Sequence, residues 1–103
     1  MYKLVFYVPE SHLEVTKAAV FDAGAGTIGN YDRCCWQVLG QGQFRSLSGS
    51  RPYLGQLDEL ESVAEYRVEL VCRDECIAQA IVELKRVHPY EEPAYDVWSL
   101  AEI

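Results

Sequence analysis

The stretch AGAGTIGNYDRC, residues 23–34, decides the fold. Gly24, Gly26 and Gly29 have the G-x-G-x-x-G spacing of dinucleotide-binding loops, so the first question is whether they form one. In those loops the glycines follow a strand and open a helix, whose N-terminus holds the phosphates. The flanking sequence predicts the reverse order, with a helix before Gly24 and a strand from Tyr31 onward. Because a helix C-terminus repels phosphate, we interpret the glycines as a tight helix-to-strand turn.

The same loop has a second interpretation as a ligand-binding segment. Backbone N–H groups of a glycine-rich turn can form a small anion-binding concavity. On this interpretation Gly26, Asn30 and Tyr31 contact a small molecule. The residues alone leave both interpretations open.

The segments on the N-terminal side of the loop and just after it have clear patterns. Tyr2–Val8 alternates and is rich in β-formers, which predicts a strand. Ser11 lies three residues before Glu14, which predicts a capping box at the start of a helix that ends near Ala23. Tyr31–Leu39 predicts a second strand.

The middle of the chain is less regular. The segment Gly40–Gly42 predicts a turn, and a short strand over Gln43–Leu47 would complete a hairpin. Ser48–Gln56 contains two glycines and a proline, which is typical of a loop. The acidic segment Leu57–Val63 has no clear assignment.

The C-terminal third repeats the strand–helix–strand order. Ala64–Cys72 alternates as a strand, Asp74 is placed to cap a second helix, and Pro89 ends that helix soon after His88. Ala94–Leu100 predicts the last strand. The order predicts one α+β domain over residues 1–103, a ferredoxin-like βαββαβ sandwich. In it an antiparallel sheet has two helices on one face and carries an extra hairpin.

Composition excludes several classes of partner. The net charge of −7 argues against nucleic acid and anionic membranes as partners. No apolar run approaches the ~20 residues that span a bilayer, and we find no signal peptide. We therefore expect a cytoplasmic protein whose cysteines are reduced thiols, at positions Cys34, Cys35, Cys72 and Cys76.

The densest polar cluster is HPYEEP, residues 88–93. One interpretation is a ligand or metal site formed by His88, Tyr90, Glu91 and Glu92 in a loop that two prolines stiffen. The other is a rigid helix-to-strand connector whose side chains bond to backbone or to a neighbouring subunit. The second interpretation is favoured, because prolines fix a loop whether or not it binds anything.

A divalent metal is the cofactor that these residues would take, with His12, His88 and Glu91 as candidate ligands. A protein metal site normally needs three or four ligands, and one subunit offers few. A reactive thiol is a further alternative, because a helix N-terminus at Cys76 would favour the thiolate. No motif of a catalytic nucleophile or of a phosphate-binding loop is present, so we assign no catalytic residue.

Four stretches together, AGAGTIGNYDRCCW, GQGQF, RPYLG and HPYEEPAYDV, resemble the small domain of YqfO-type proteins, over residues 8–97. In long members this domain is inserted into a dinuclear-metal-centre protein whose metal ligands lie in the flanking halves, so the resemblance carries no hydrolase site onto this chain. It implies a stand-alone domain with a PII/CutA-like fold, and HPYEEP also resembles a segment of CutA.

The resemblance also implies assembly, since PII and CutA proteins commonly form trimers. Alternation in the first strand places apolar residues on both sides, with Leu4 and Phe6 opposite Val5 and Tyr7, so a monomer would expose an apolar face. We expect a homo-oligomer, a trimer by preference, with Tyr90 and Glu91 near a subunit boundary. The predicted function is a non-enzymatic binding or regulatory module for a small molecule; the alternatives are a CutA-like divalent-metal-binding protein and a thiol-dependent enzyme.

Overall fold

The computed structural model describes residues 1–103. A 3₁₀ turn at Glu10–His12 connects the first strand to the first helix. The helices and strands, in chain order, are β1 (Tyr2–Pro9), α1 (Leu13–Asp22), β2 (Trp36–Arg45), β3 (Leu60–Cys72), α2 (Asp74–Val87) and β4 (Tyr95–Ser99). Neither helix is long and apolar enough to cross a bilayer.

One four-stranded sheet has the order β2-β3-β1-β4, and every neighbouring pair is antiparallel. In the register, Val5 at the middle of β1 pairs with Glu69 on one side and with Asp96 on the other. The βαββαβ connectivity with this strand order is the predicted ferredoxin-like fold, which is confirmed.

The core lies between the sheet and both helices. Alternate residues of β1 and β3 point to the same side and are buried with residues of α1 and α2. Each fully buried Leu, Val or Phe side chain stabilises the fold by about 1.5–3 kcal/mol. The buried cluster consists of Leu4, Phe6, Val8, Leu13, Val20, Ala25, Val68, Leu70, Cys72, Ala80 and Leu84.

The opposite face of the sheet has no helix on it. The register and the pleat place Val38, Trp36 and Trp98 on this side, and all three are exposed. Arg67 and Glu69 share the face and form an ion pair of 2.9 Å. We call this surface the open face; it is the second apolar face that the alternation in β1 predicted.

The predicted turn at Gly40–Gly42 is wrong, because β2 runs through it without a break and pairs with β3 from Trp36 to Arg45. The two long strands themselves form the hairpin, closed by a loop over residues 46–59. Gly42 is needed for close approach instead, because a Cβ there would lie 2.7 Å from the carboxyl carbon of Glu65. Of the unassigned segment before Ala64, residues 60–63 are the first part of β3 and residues 57–59 belong to the preceding loop.

Three local predictions are also wrong. The second strand begins at Trp36 rather than at Tyr31, which instead forms an isolated bridge with Ile28. The capping box does not form, because Ser11 bonds to the ring of His12 at 2.8 Å. Asp74 does not cap α2: it is the first residue of the helix, whose start has no side-chain cap.

The glycine loop follows α1 and leads to β2, as its flanking sequence predicts. Gly26 has a φ of +83°, its N–H donates to the carbonyl of Val71 at 2.8 Å, and its carbonyl accepts the N–H of Cys34 at 2.8 Å. The turn therefore ties the α1–β2 loop to β3. Both backbone groups of Gly26 are used within the chain.

We expect Gly26→Ala to lower the free energy of unfolding by about 2–4 kcal/mol, because the left-handed conformation disfavours a Cβ and a well-packed site resists the added atom. The new Cβ would lie 2.8 Å from the ring of Phe21. Gly29→Asn is the control, since no atom lies within 4 Å and Asn tolerates its φ of +56°. Urea denaturation measures both; equal losses in the two variants would contradict the close-packing argument.

Candidate functional site

The buried imidazole of His88 fixes the connector between α2 and β4. Its Nε2–H donates to the backbone carbonyl of Tyr7 at 2.6 Å, and its Nδ1 accepts the backbone N–H of Tyr90 at 3.1 Å. Both ring nitrogens are therefore engaged, and burial lowers the pKa of His88. The neutral ring is a structural clamp between β1 and the connector.

The local sequence explains why the clamp forms at this position. A residue that precedes proline avoids the helical region, and His88 accordingly has ψ 136° at the end of α2. Its N–H still caps the helix by donating to Leu84 at 3.0 Å. Six residues further on, the carbonyl of Ala94 accepts the N–H of Tyr7 at 3.2 Å, so the connector is attached to β1 at both ends.

A cavity of about 420 Å³ lies beside this connector. Tyr7, Phe44 and Glu65 line it from the open face of the sheet, the β2–β3 loop lines it over residues 46–54, and the connector lines it with Tyr90 and neighbouring residues. We call it the Tyr90 cavity. Its walls come from β1, β2, β3, the loop and the connector, so it exists only when all of them are folded.

Aromatic rings from three segments surround Tyr90. The centroid of the Tyr53 ring lies 6.0 Å away at 88°, and that of Phe44 lies 6.5 Å away at 49°. The His88 ring lies 4.9 Å from Tyr90 on the connector side. These edge-on and tilted contacts hold the Tyr90 ring in one place without filling the cavity.

Glu65 and the Tyr90 hydroxyl form the polar part of the site. Burial raises the pKa of Glu65, which the Tyr90 hydroxyl partly offsets, and burial raises the pKa of Tyr90 to about 12. The hydroxyl faces the carboxyl, but its buried oxygen has no hydrogen-bond partner of good geometry. Tyr90 therefore stays a neutral phenol.

The residues that the sequence singled out fall into two separate groups. Tyr90, Glu91 and Glu92 line the cavity, and Glu91 also accepts the backbone N–H of Arg51 at 2.9 Å, which holds the β2–β3 loop against the connector. His88 lies behind Tyr90 as the clamp and does not line the cavity. The glycine-loop candidates are elsewhere: none of Gly26, Asn30 and Tyr31 lines it.

The candidate metal ligands do not form a cluster. His12 bonds to Ser11, and its ring centroid lies 5.8 Å from that of Tyr53, while both nitrogens of His88 face backbone groups. No group of three or more His, Cys, Asp or Glu side chains stands in metal-holding geometry.

The cysteines lie apart from the Tyr90 cavity, and all four are unpaired. Cys72 is buried in the core, where burial raises the pKa of its thiol to about 11, so it remains protonated as the predicted core residue. Cys34, the other predicted core thiol, is only half-buried, and Cys35 is exposed.

Solved structures place the fold in the PII/CutA-like class. The chain superposes on CutA from Archaeoglobus fulgidus, named a periplasmic divalent cation tolerance protein, with a TM-score of 0.70 over 99% of this chain and 86% of that one, at 15% identity. It is similar to a Bacillus cereus protein related to NIF3, with a TM-score of 0.84 and 38% identity over 98% of this chain and 26% of that one.

Curated relatives extend the second likeness. The chain is 46% identical over 98 residues to a Mycobacterium tuberculosis protein named GTP cyclohydrolase 1 type 2 homolog, and 40% identical over 100 residues to the Bacillus subtilis protein of that name. These matches cover 95% and 97% of this chain but 26% and 27% of the relatives. The chain thus spans about a quarter of the length of these relatives. No protein-family model matches it.

Sequence reasoning missed most of the cavity lining, from which it singled out Tyr90, Glu91 and Glu92 alone. Glu65, Phe44 and Tyr53 were not singled out, because a single outward-facing residue on a strand or an aromatic residue in a loop carries no signal of its own. The one available signal was the pair of glycines in GQGQF, where Gly42 makes room for the Glu65 side chain. That signal points to Glu65 only once the pairing register of β2 and β3 is known.

We expect His88→Ala to lower the free energy of unfolding by about 2–4 kcal/mol at pH 8, since it leaves the Tyr7 carbonyl and the Tyr90 N–H without partners. His12→Ala should cost about 1 kcal/mol or less, because the half-buried His12 ring bonds to a neighbouring side chain and to no backbone group. Because the pKa of His88 is lowered in the folded state, protonation of His88 favours the unfolded chain. The difference in free energy of unfolding between the wild type and His88→Ala should therefore shrink as pH falls below about 6.5. Denaturant titrations at several pH values measure this; similar losses for the two variants would contradict the clamp.

Tyr90→Phe should raise the pKa of Glu65 further, because it removes the hydroxyl that now favours the ionised carboxyl. Carbon-13 NMR of the Glu65 side-chain carboxyl against pH measures the change. Tyr53→Phe is the matched control and should leave the Glu65 pKa where it is. An unchanged or lowered Glu65 pKa in Tyr90→Phe would show that the two groups do not interact.

Proposed function

We propose that this chain is a homo-oligomeric binding and regulatory module that takes a small molecule in the Tyr90 cavity. The observation that carries the proposal is the cavity itself, whose aromatic walls enclose a few convergent polar groups. Its volume of about 420 Å³ falls in the range of roughly 300–1,000 Å³ that small-molecule sites occupy. Residues 1–103 act as one domain in this proposal, and its four unpaired thiols are consistent with a cytoplasmic location.

Binding rather than catalysis is the role that the lining supports. No histidine or cysteine lines the cavity, and Tyr90 remains protonated, so the site has no strong nucleophile beside a general base. The cyclohydrolase name belongs to proteins about four times the length of this segment. We propose that the shared segment contributes ligand recognition in this chain and assign no catalytic residue.

Assembly through the open face is the second part of the proposal. Val38, Trp36 and Trp98 expose apolar surface there, and a second copy of the chain would cover it. The PII/CutA-like fold favours a trimer. Because Tyr7, Phe44 and Glu65 belong to the same face, the Tyr90 cavity would then open close to a subunit boundary.

A divalent metal is the alternative ligand, with His12, His88 and Glu91 as its candidate residues. The geometry gives it less support, because the neutral His88 ring already uses both nitrogens. Metal analysis of the purified protein separates the two proposals. Stoichiometric metal that survives dialysis would favour the alternative.

Native mass spectrometry of the purified chain tests the proposed function directly, since it reports both subunit number and retained small molecules. The expected result is a trimer with one small molecule per subunit, lost when Tyr90→Ala opens the ring cluster. If the chain is instead a bare monomer, and a mixture of small aromatic fragments leaves the NMR signals of Phe44, Tyr53 and Tyr90 unchanged, the proposal is wrong.

We expect Val38→Glu to convert the oligomer to monomers at micromolar concentration, because a buried carboxylate disrupts an apolar interface. The monomer should stay folded, since the new carboxylate pairs across the strands with Arg67. Val15→Glu on α1 is the control. Val15 is exposed to 50%, close to the 42% of Val38, but it lies on a helix and not on the sheet. Light scattering that gives the same mass for both variants would contradict assembly through the open face.

A further inference from the structure

We propose that the Tyr90 cavity recognises an organic cation, an amine whose ammonium group lies against Glu65 and whose body lies among the rings of Phe44, Tyr53 and Tyr90. This inference rests on the proposed function and names the chemical class of its ligand. Three independent features of the cavity lead to it: its rings, its charge and its size.

The rings supply a surface that attracts positive charge. An aromatic face carries negative potential, and several rings around one space are the usual means by which proteins hold ammonium groups. Phe44, Tyr53 and Tyr90 all line the cavity and come from a strand, a loop and the connector. Because Tyr53 stands nearly perpendicular to Tyr90, the two rings cannot stack and close the space between them.

The charges of the side chains that line the cavity also favour a cation. Three carboxyl groups, those of Glu65, Glu91 and Glu92, line the cavity, against the one guanidinium of Arg45. The whole chain carries a net charge of −7, so its field also favours cations over anions. A phosphate or carboxylate ligand would meet repulsion from both sources.

Glu65 is the carboxyl that is placed to bind the ammonium group. It lies deeper than Glu91 and Glu92, which are exposed, and Glu91 already accepts the N–H of Arg51. A partly buried carboxyl that lacks a cationic partner is costly, and a bound ammonium group supplies one.

The size of the cavity selects an organic cation over a metal ion. A volume of about 420 Å³ holds a molecule of drug-fragment size or larger, with the rings around its apolar part. A bare divalent ion would need three or more ligands at short range, and no such group is present.

Two variants change the carboxyl in different ways. Glu65→Gln removes its charge while keeping its size. Gly42→Ala keeps the charge but displaces the carboxyl, because the new Cβ would occupy the space of the Glu65 side chain. Glu59→Gln is the matched control, since it makes the same change in net charge at an exposed residue outside the cavity.

Three probes of one shape test the preference for charge: phenethylammonium, 2-phenylethanol and phenylacetate. NMR titration of the isotope-labelled full chain follows the signals of Phe44, Tyr53 and Tyr90. We expect phenethylammonium to bind at least about tenfold more tightly than either other probe, because a charge-assisted contact and ring attraction add to burial. Glu65→Gln and Gly42→Ala should remove about tenfold of its affinity, and Glu59→Gln less than about twofold.

The outcomes separate this inference from the function on which it rests. Binding of 2-phenylethanol or phenylacetate at the cavity signals, with equal or tighter affinity than phenethylammonium, would overturn the cation preference and leave the binding function standing. Unchanged affinity for phenethylammonium in Glu65→Gln would overturn the role of Glu65. If no probe shifts the cavity signals, both the inference and the binding function are wrong.

Discussion

The hydrogen bonds of the His88 ring hold the connector between α2 and β4 against the end of β1, and the candidate site depends on them. One nitrogen donates to the Tyr7 carbonyl and the other accepts the Tyr90 N–H, so the ring fixes the backbone on both sides of it. This contact sets where the Tyr90 side chain enters the cavity. A neutral, buried imidazole suits this role, because a charged ring would lose the acceptor that Tyr90 uses.

The register of β2 on β3 is the second constraint on the site. It brings Gly42 next to the Glu65 side chain, and the absence of a Cβ there leaves room for the carboxyl to lie along the strand toward Tyr90. The bond from Arg51 to Glu91 then keeps the long β2–β3 loop on top of the cavity. The His88 clamp, the β2–β3 register and the loop together bring the carboxyl of Glu65 and the buried phenol of Tyr90 into one aromatic pocket.

The fold was predictable from sequence because it depends on local patterns. Alternation in Tyr2–Val8 and in Ala64–Cys72, together with the helix predicted between Asp74 and Pro89, defined the strand and helix order. The context of the glycine loop distinguished a helix-to-strand turn from a phosphate loop, as the backbone bonds of Gly26 now explain. The errors arose where tertiary pairing overrides local preference, as at Gly40–Gly42, whose glycines are typical of a turn but lie inside a strand.

The candidate site was predictable only in part, for a related reason. HPYEEP stood out because its polar residues are consecutive, and Tyr90 and Glu91 do line the cavity. His88 was weighed as a ligand and as part of a rigid connector, and its bonds to backbone match the second interpretation. Glu65 lies 25 residues before Tyr90 in the sequence, and the two meet only because the folded sheet brings them together. No local sequence pattern can indicate such a contact.

The protonation of the His88 ring gives the most direct test of this account, because the position of Tyr90 depends on it. Long-range ¹H–¹⁵N NMR of the histidine rings at neutral pH reports which nitrogen carries the proton. We predict a neutral ring with the proton on Nε2 and an unprotonated Nδ1. A proton on Nδ1, or a ring protonated on both nitrogens, would contradict the clamp and with it the arrangement of the Tyr90 cavity.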